Sequence, residues 1–395
     1  MIGFDEATAL VVRHARPLEP RRVPIEAAVG LVLADAVIAD ADSPAVPVSA
    51  MDGYAVRDDD LAVLPARLKV TDKTYAGQTS GPAIAAGDCR RIFTGAPMPP
   101  GADRVVVQEM VVRDGDWAVI ETAPGKARHV RAAGSDFRTG DVLVAAGTRL
   151  NAQAMVAAAA ADQAEVPAYP RPRVVILGTG DELVAPGRAR RTPGSIPDSV
   201  SLGVAALVGE YGGEVLDRAR LKDDPVALEQ AAARALEQAD VIVVTGGASV
   251  GEKDFAKSMF AGHGLELIFE KVAIKPGKPV WMGRAKGRLV VGLPGNPTSA
   301  LVTARLFLAP LIAGLAGGDP VAAQAWRLEP LMGELPDTGE RDTFVRGAST
   351  SGGVAPLSNQ DSGAQAALAS ADRLIRRNAG ALHAGPGATV EVLDF

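Results

Sequence analysis

Three runs of uninterrupted apolar residues, each ending in a glycine-containing loop, constrain this chain more than any other feature. Val174–Leu177 leads into Gly178-Thr-Gly-Asp-Glu-Leu183, and Val241–Val244 into Thr245-Gly-Gly-Ala-Ser-Val-Gly-Glu-Lys-Asp254. Leu289–Val291 leads into Gly292-Leu-Pro-Gly-Asn-Pro297. A short apolar run without alternation is a strand buried on both faces. Between these runs the period changes to that of amphipathic helices, at Ser199–Tyr211 and at Pro225–Ala239, with Leu228, Ala231, Ala232, Ala235 and Leu236 on one face. Glu214–Leu221 reads as a further strand, and Ser299–Leu308 as a helix after the third loop. Strands and helices in this alternation form a mostly parallel sheet covered on both sides, a three-layer α/β domain.

The flanks read differently. A helix opens the chain, with Leu10, Val11, His14 and Ala15 at helical spacing and an end near Pro17. Short β-rich runs alternate with Gly/Pro turns from 38 to 135: Leu68–Thr71, Arg90–Thr94, Arg104–Glu109 and Trp117–Glu121. Residues 151–163 return to helix behind Asn151, a suitable N-cap. Pro167-Ala-Tyr-Pro-Arg-Pro-Arg173 reads as a stiff linker. From 320 to 395 the pattern is short and strand-like, which predicts a small barrel or sandwich. The expected organisation is therefore multidomain, α/β plus β. A helical linking domain takes 1–37 and 136–167, a small β domain 38–135, the α/β domain 168–317, and a C-terminal β domain 318–395.

Composition narrows the function classes. With 41 Lys+Arg against 47 Asp+Glu the net charge is −6, and no long basic run offers a nucleic-acid surface. The single cysteine, Cys89, excludes an intrachain disulfide framework and suits a reducing compartment. No His-x-x-x-His pair and no Gly-x-x-x-x-Gly-Lys-Ser/Thr occurs, so zinc-peptidase and standard P-loop chemistry are absent. The N-terminus lacks a secretory pattern. The longest apolar stretch, Ala300–Ala316, contains Arg305 and Pro310 and is expected to break there, short of the ~20 residues a spanning helix needs. The expectation is a cytoplasmic protein with no membrane and no nucleic-acid partner.

In open parallel sheets ligands bind beyond the carboxyl ends of the strands, where the three loops converge. Glycines there let the backbone approach a ligand and aim N–H groups at anions. This makes Gly178, Thr179, Gly180, Gly246, Gly247, Ser249 and Gly295 candidates for holding a phosphate-bearing ligand, and each loop alone could equally be a tight turn. The same loops carry Asp181, Glu182 and Asp254, with Asp223 and Asp224 at another strand end. Carboxylates beside a phosphate suit Mg²⁺, which takes one or two of them plus phosphate oxygens. Asp224 precedes Pro225 and reads as an N-cap, which leaves Asp223 as the functional candidate. In Lys275-Pro-Gly-Lys-Pro279 two lysines flank a turn. An anion between them gains roughly 4 kcal/mol per contact near ~4 Å at an effective dielectric of ~20, before desolvation. A solvated lysine turn is the plain alternative.

Taken together, these runs resemble the molybdopterin molybdenumtransferase family, which includes the E domain of gephyrin. The carriers are Ser-Ala-Met-Asp-Gly-Tyr-Ala at 49–55, Thr-Gly-Ala-Pro-Met-Pro at 94–99, the three glycine loops and Lys-Pro-Gly-Lys-Pro at 275–279, in matching order and spacing. The resemblance implies insertion of molybdenum from molybdate into adenylylated molybdopterin, with cleavage of the adenylate, release of AMP and assistance from Mg²⁺. It implies an elongated homodimer of four-domain subunits whose active site lies between the α/β domain of one subunit and the N-terminal β domain of the other. It also implies dealings with molybdopterin adenylyltransferase and molybdoenzyme chaperones. Carried over by position, Asp52, Thr94, Asp136, Glu182, Asp223 and Asp254 are the functional polar residues. Glu182, Asp223 and Asp254 are the metal candidates, and Pro294 and Pro297 shape the loop. Lys275, Lys278, Arg346 and Ser362 are the molybdate ligands. The alternatives are the related adenylyltransferase, which is essentially the α/β unit alone, and a non-catalytic molybdopterin carrier.

Overall fold

The computed structural model describes residues 1–246 and 255–395. Its centre is a six-stranded sheet built from β1 (Arg173–Thr179), β2 (Glu214–Leu221), β3 (Val241–Thr245), β4 (Glu266–Phe269), β5 (Trp281–Ala285) and β6 (Arg288–Leu293), in the order β2-β1-β3-β6-β5-β4. Neighbours from β2 to β6 run parallel, while β5 and β4 add antiparallel. Sequence pattern alone did not reveal β5. It joins β6 through Lys286-Gly287, both at positive φ (46° and 79°), as a two-residue hairpin requires.

The continuous apolar runs are explained by burial on both faces. In β1, Val174 and Ile176 join one core cluster, while Val175 and Leu177 join the other. The first cluster lies beneath α1 (Val200–Glu210) and the helix Pro297–Leu315, here called α3. The second lies beneath α2 (Pro225–Gln238), through Leu228, Ala232, Ala235 and Leu236. Asp224 caps α2 by accepting from the N–H groups of Val226 and Ala227, with Pro225 in the first turn.

The apolar stretch after residue 297 does not break at Arg305 and Pro310. α3 runs through both because Ala304–Leu308 widens into π-helix, the kind of local adjustment that accommodates a proline. Arg305, 5% exposed, donates from Nε to Asp394 O at 2.7 Å and lies over the Tyr211 ring. Among the described residues α3 is the one helix long and apolar enough to cross a membrane, and 89% of the apolar window that meets this test is buried within the protein.

The opening helix (Phe4–His14) buries Phe4, Ala7 and Val11 in the same core as α3. Phe4 packs on Phe307 and Phe344, so this helix joins the α/β domain to the C-terminal domain. The rest of the linking region is held by two antiparallel pairs, Arg21–Pro24 with Glu165–Ala168 and Val37–Ile38 with Val142–Val144. Pro167, read as linker, therefore lies in a strand, paired with Arg22 in a two-stranded ribbon where proline is tolerated. Helix Ala152–Ala160 is capped by Asn151, whose Oδ1 accepts from Ala154 N–H at 2.9 Å.

The β-rich N-terminal segment forms its own six-stranded sheet, with Gly53–Val56 between Arg104–Val107 and Asp88–Ile92. The C-terminal strands Arg327–Pro330, Thr389–Asp394, Arg373–Arg377, Asp342–Thr350 and Gly353–Pro356 pair in that order. A bridge from Leu331 to Val354 brings the two ends together, so the segment closes as a small barrel. The long strand Asp342–Thr350 also pairs with Ile274–Lys275, which ties the two-lysine turn to the barrel.

Candidate active site

The carboxyl ends of β1, β2, β3 and β6 open into a cavity of about 790 Å³. Thr179, Gly180 and Glu182 come from the loop after β1, Asp223 from beyond β2, and Thr245 and Gly246 from β3. Pro294, Gly295, Asn296 and Pro297 come from the turn between β6 and α3. The N-termini of α1, through Asp198–Val200, and of α3 both face it, and N-terminal N–H groups favour anions. Lys271 and Lys278 add positive charge.

Glycine is required where these loops meet. Gly246 has φ +89°, and a Cβ there would stand 2.5 Å from Thr179 O. A Cβ on Gly295 would lie 3.3 Å from Gly246 Cα, so the two backbones are in contact. Gly178 behaves differently: it sits inside β1, paired with Arg220 and Thr245, and is a packing glycine off the cavity wall. Asp181 also lies off the wall. Its Oδ1 accepts the Asp223 N–H at 3.2 Å and so links the loops that present Glu182 and Asp223. Gly247, Ser249 and Asp254 lie outside the described residues.

A second cavity, about 850 Å³, adjoins the first. One wall is the whole turn Lys275–Pro279, and the other comes from the barrel through Arg341, Thr343, Gln360 and Ser362. Lys278 and Pro279 line both cavities. The segment 362–363 also separates them, with Ser362 on one side and Gly363 on the other. Ser362 is placed by Asn296, whose Nδ2 donates to its Oγ at 3.1 Å, and by Thr298 N–H, which donates to its carbonyl at 3.1 Å.

Arg346 departs from its expected role. It is 1% exposed and lines neither cavity. Its guanidinium donates to Thr298 Oγ1 (3.1 Å), Asn359 O (3.0 Å) and Asp361 O (3.1 Å). Burial lowers its pKa, with the Asp361 charge opposing that shift. Gln360 fastens the same loop to the Arg346 backbone, accepting from its N–H and donating to its carbonyl. Arg346 is a strut beneath the segment that carries Ser362, because it is buried and three of its guanidinium hydrogen bonds go to protein acceptors.

The N-terminal candidates form a separate unit. Asp52 Oδ1 accepts both the backbone N–H and the Oγ1 hydroxyl of Thr94 at 2.8 Å. These bonds hold the carboxyl below its usual range, the backbone one first. Asp136 is exposed, with its N–H on Ser43 O. Asp52, Thr94 and Asp136 line neither cavity: Asp52 and Thr94 flank strands of the N-terminal sheet, and Asp136 lies in a turn of the linking region. Sequence reasoning missed Lys271, Asp198 and Arg341. Arg341 stood in Gly339-Glu-Arg-Asp342, five residues before Arg346, where no loop signal marked it.

An α/β domain with an anion-receptive cavity, flanked by a β-rich N-terminal region and a C-terminal barrel, defines a class that known proteins share. Residues 2–161 match the MoeA N-terminal region (domain I and II), 175–314 a probable molybdopterin binding domain, and 330–395 the MoeA C-terminal region (domain IV). A molybdopterin molybdenumtransferase of Nostoc sp. is 36% identical over 339 residues, covering 82% of this chain and 76% of its own. Molybdopterin molybdenumtransferase 2 of Mycobacterium tuberculosis is 35% identical, covering 78% of each. The crystal structure of the molybdopterin biosynthesis MoeA protein from Pyrococcus horikoshii superposes with TM-score 0.83 at 28% identity, covering 100% of this chain and 99% of that one. The chain belongs to the molybdopterin molybdenumtransferase family.

Proposed function

We propose that this enzyme inserts molybdenum from molybdate into adenylylated molybdopterin, cleaving the adenylate and releasing AMP. The observation that carries the reading is the pair of abutting cavities with Lys278 and Pro279 on their common wall. One offers glycine loops, two helix N-termini and carboxylates, which suits a phosphate-bearing pterin. The other offers Lys275, Lys278 and hydroxyl groups, which suits a tetrahedral dianion. Oxyanion and adenylylated substrate are thus held on either side of one ammonium group.

Mg²⁺ fits the first cavity by donor chemistry. Glu182 and Asp223 share its wall, and this cation needs only one or two carboxylates when phosphate supplies the remaining oxygens. Among the described residues no three His, Cys, Asp or Glu side chains gather as a self-sufficient metal centre, which is consistent with a cation that arrives with its phosphate. Bound there, the cation supplies charge neutralisation at the phosphoanhydride as it breaks. Asp254 belongs to the same proposal by position.

Among the described residues Asp52, Thr94 and Asp136 line neither of the two cavities of one chain, which supports a homodimer whose N-terminal β domain completes the partner's site. The lone buried Cys89 suits a reducing cytoplasm. The flanking domains speak against a bare adenylyltransferase. Traffic with molybdopterin adenylyltransferase and with molybdoenzyme chaperones completes the proposal. The test is AMP release from adenylylated molybdopterin by the purified protein. Release that depends on molybdate and Mg²⁺ supports the reading. Binding without molybdate-dependent release shows a carrier, and ATP-dependent adenylylation shows the related enzyme.

A further inference from the structure

The first cavity is polarised along the sheet edge. β5 is antiparallel to β6 and β4 is antiparallel to β5, so the carboxyl end of β4 lies on the same edge as those of β1, β2, β3 and β6. Lys271 follows β4 and lines the cavity from that end of the sheet, where no motif marked it. Glu182 and Asp223 line it from beyond β1 and β2 at the other end, with Gly246 and Gly295 between. We propose that Lys271 is a phosphate-binding residue whose ammonium meets the phosphoanhydride of the adenylylated substrate opposite the two carboxylates; this rests on the insertion reading for the identity of the ligand.

The backbone of Lys271 is fixed from two sides. Its carbonyl accepts the Ile2 N–H at 3.1 Å, and the next residue, the fully buried Val272, donates its N–H to Lys278 O at 3.1 Å. Lys271 is thereby tied to the turn that carries Lys278, the other lysine on this wall.

Its charge also lacks a protein partner. Among the described residues no ion pair involves Lys271. The neighbouring carboxylate, Glu270, accepts from Lys257 Nζ at 3.0 Å. The third carboxylate on the cavity wall, Asp198, accepts from the Ser201 N–H at 3.1 Å and the Ser201 hydroxyl at 2.6 Å, and lies 3.7 Å from Arg220. Lys271 is half-buried, whereas Lys275 and Lys278 are exposed. A partly desolvated ammonium without a counter-ion is unfavourable, and an anion in the cavity supplies one. The carboxylate end repels a phosphate unless a divalent cation intervenes, while the lysine end attracts it directly. A phosphoanhydride between the two ends therefore has its charge met from both.

The experiment uses the full chain and isothermal titration calorimetry with two probes, AMP and adenosine, in the presence of Mg²⁺. Lys271→Met keeps the aliphatic stem and the backbone bond to Ile2 while deleting the charge. It is expected to raise the AMP Kd by about tenfold and to leave the adenosine and molybdate Kd values within about twofold of wild type. Lys271→Arg should recover much of the AMP affinity, since a guanidinium also binds phosphate. KM for adenylylated molybdopterin should rise with the AMP Kd, and it carries the same expectation if AMP binds too weakly to titrate. Should Lys271→Met not fold, Lys271→Gln is expected to show the same shift. An unchanged AMP Kd and KM, or equal losses for AMP and adenosine, overturns the assignment, the second by showing that the cavity and not the phosphate contact was disturbed. The two readings separate cleanly. Lys271-dependent AMP binding in a protein that releases no AMP with molybdate defeats the insertion reading alone. Molybdate-dependent AMP release with an unaltered KM for adenylylated molybdopterin in Lys271→Met defeats this inference alone.

Discussion

Replacing Arg346 with methionine discriminates a strut from a ligand. The substitution approximates the aliphatic stem of the side chain and deletes the guanidinium. Thr298 Oγ1 and the carbonyls of Asn359 and Asp361 then lose their donors, while the Gln360 bonds to the Arg346 backbone remain. Hydrogen bonds from a charged donor each contribute ~1.5–3 kcal/mol. Part of that is offset because the buried cation no longer needs desolvating; the three acceptors left behind are neutral, so at about 1 kcal/mol or somewhat more for each unsatisfied group the net cost is ~3–4 kcal/mol. That cost falls on the segment 357–364, which the guanidinium ties to the start of α3. At ~1.4 kcal/mol per factor of ten, local opening becomes roughly two to three orders of magnitude more frequent. The assay is amide hydrogen exchange resolved by mass spectrometry. The amides to watch are Leu357, bonded to Arg346 O, and Thr298, bonded to Ser362 O. Arg346→Lys should rescue little, since one ammonium cannot reproduce a planar fork. Unchanged exchange in Arg346→Met, together with a selective loss of molybdate affinity, would refute the strut and restore a ligand.

Gly246→Ala should abolish turnover and destabilise the α/β domain by ~2–4 kcal/mol in urea unfolding, since a Cβ at φ +89° meets Thr179 O at 2.5 Å; wild-type stability and rate would count against the close packing of the loops. Thr94→Val should raise the Asp52 pKa toward its ordinary value by removing the hydroxyl donor, read by carbon-13 NMR titration of the carboxyl. The sign follows from the lowered folded-state value: Asp52 stabilises the fold above the usual carboxylate range and loses that contribution as pH falls through the lowered value, a loss the variant should show less. Cys89, buried with its thiol pushed up to about 12, should resist iodoacetamide at pH 8 in the native state and react on unfolding; rapid native alkylation contradicts its burial.

The parts of this fold legible in the sequence are those where one local rule dominates. Val174–Leu177 reads as a doubly buried strand because no polar residue interrupts it, and Asp224-Pro225 reads as a helix start because cap and first-turn preferences coincide. The glycine loops locate the cavity because only glycine permits backbones to touch at Gly246 and Gly295. Longer-range effects were not legible. The π-helical turn that carries α3 past Pro310 depends on packing around Arg305. The opening helix carries the right period but gives no sign that Phe4 will reach Phe307 and Phe344. A buried arginine and a cavity-lining one look alike in sequence, which is why Arg346 was read as a ligand while Arg341 went unnoticed.

The placement of Lys278 explains why a family such as this needs the barrel as well as the α/β unit. The sheet edge alone provides the glycine cavity, with backbone N–H groups suited to anions and the carboxylates Glu182 and Asp223 on its wall. It does not provide a second compartment, because Lys275 and Lys278 project from a turn that requires an opposing wall. The barrel supplies that wall through the pairing of Ile274–Lys275 with Asp342–Thr343, and its loop 357–364 supplies the divider. Two anions brought together in open water repel one another. Lys278 stands on the wall common to both cavities, and on the proposed reading, at ~4 Å and an effective dielectric of ~20, it would interact with each anion by roughly 4 kcal/mol before desolvation. On the proposed insertion reading, the shared cation would let the oxyanion and the phosphate approach one another. Arg346 lines neither cavity and holds the dividing loop through Asn359 and Asp361.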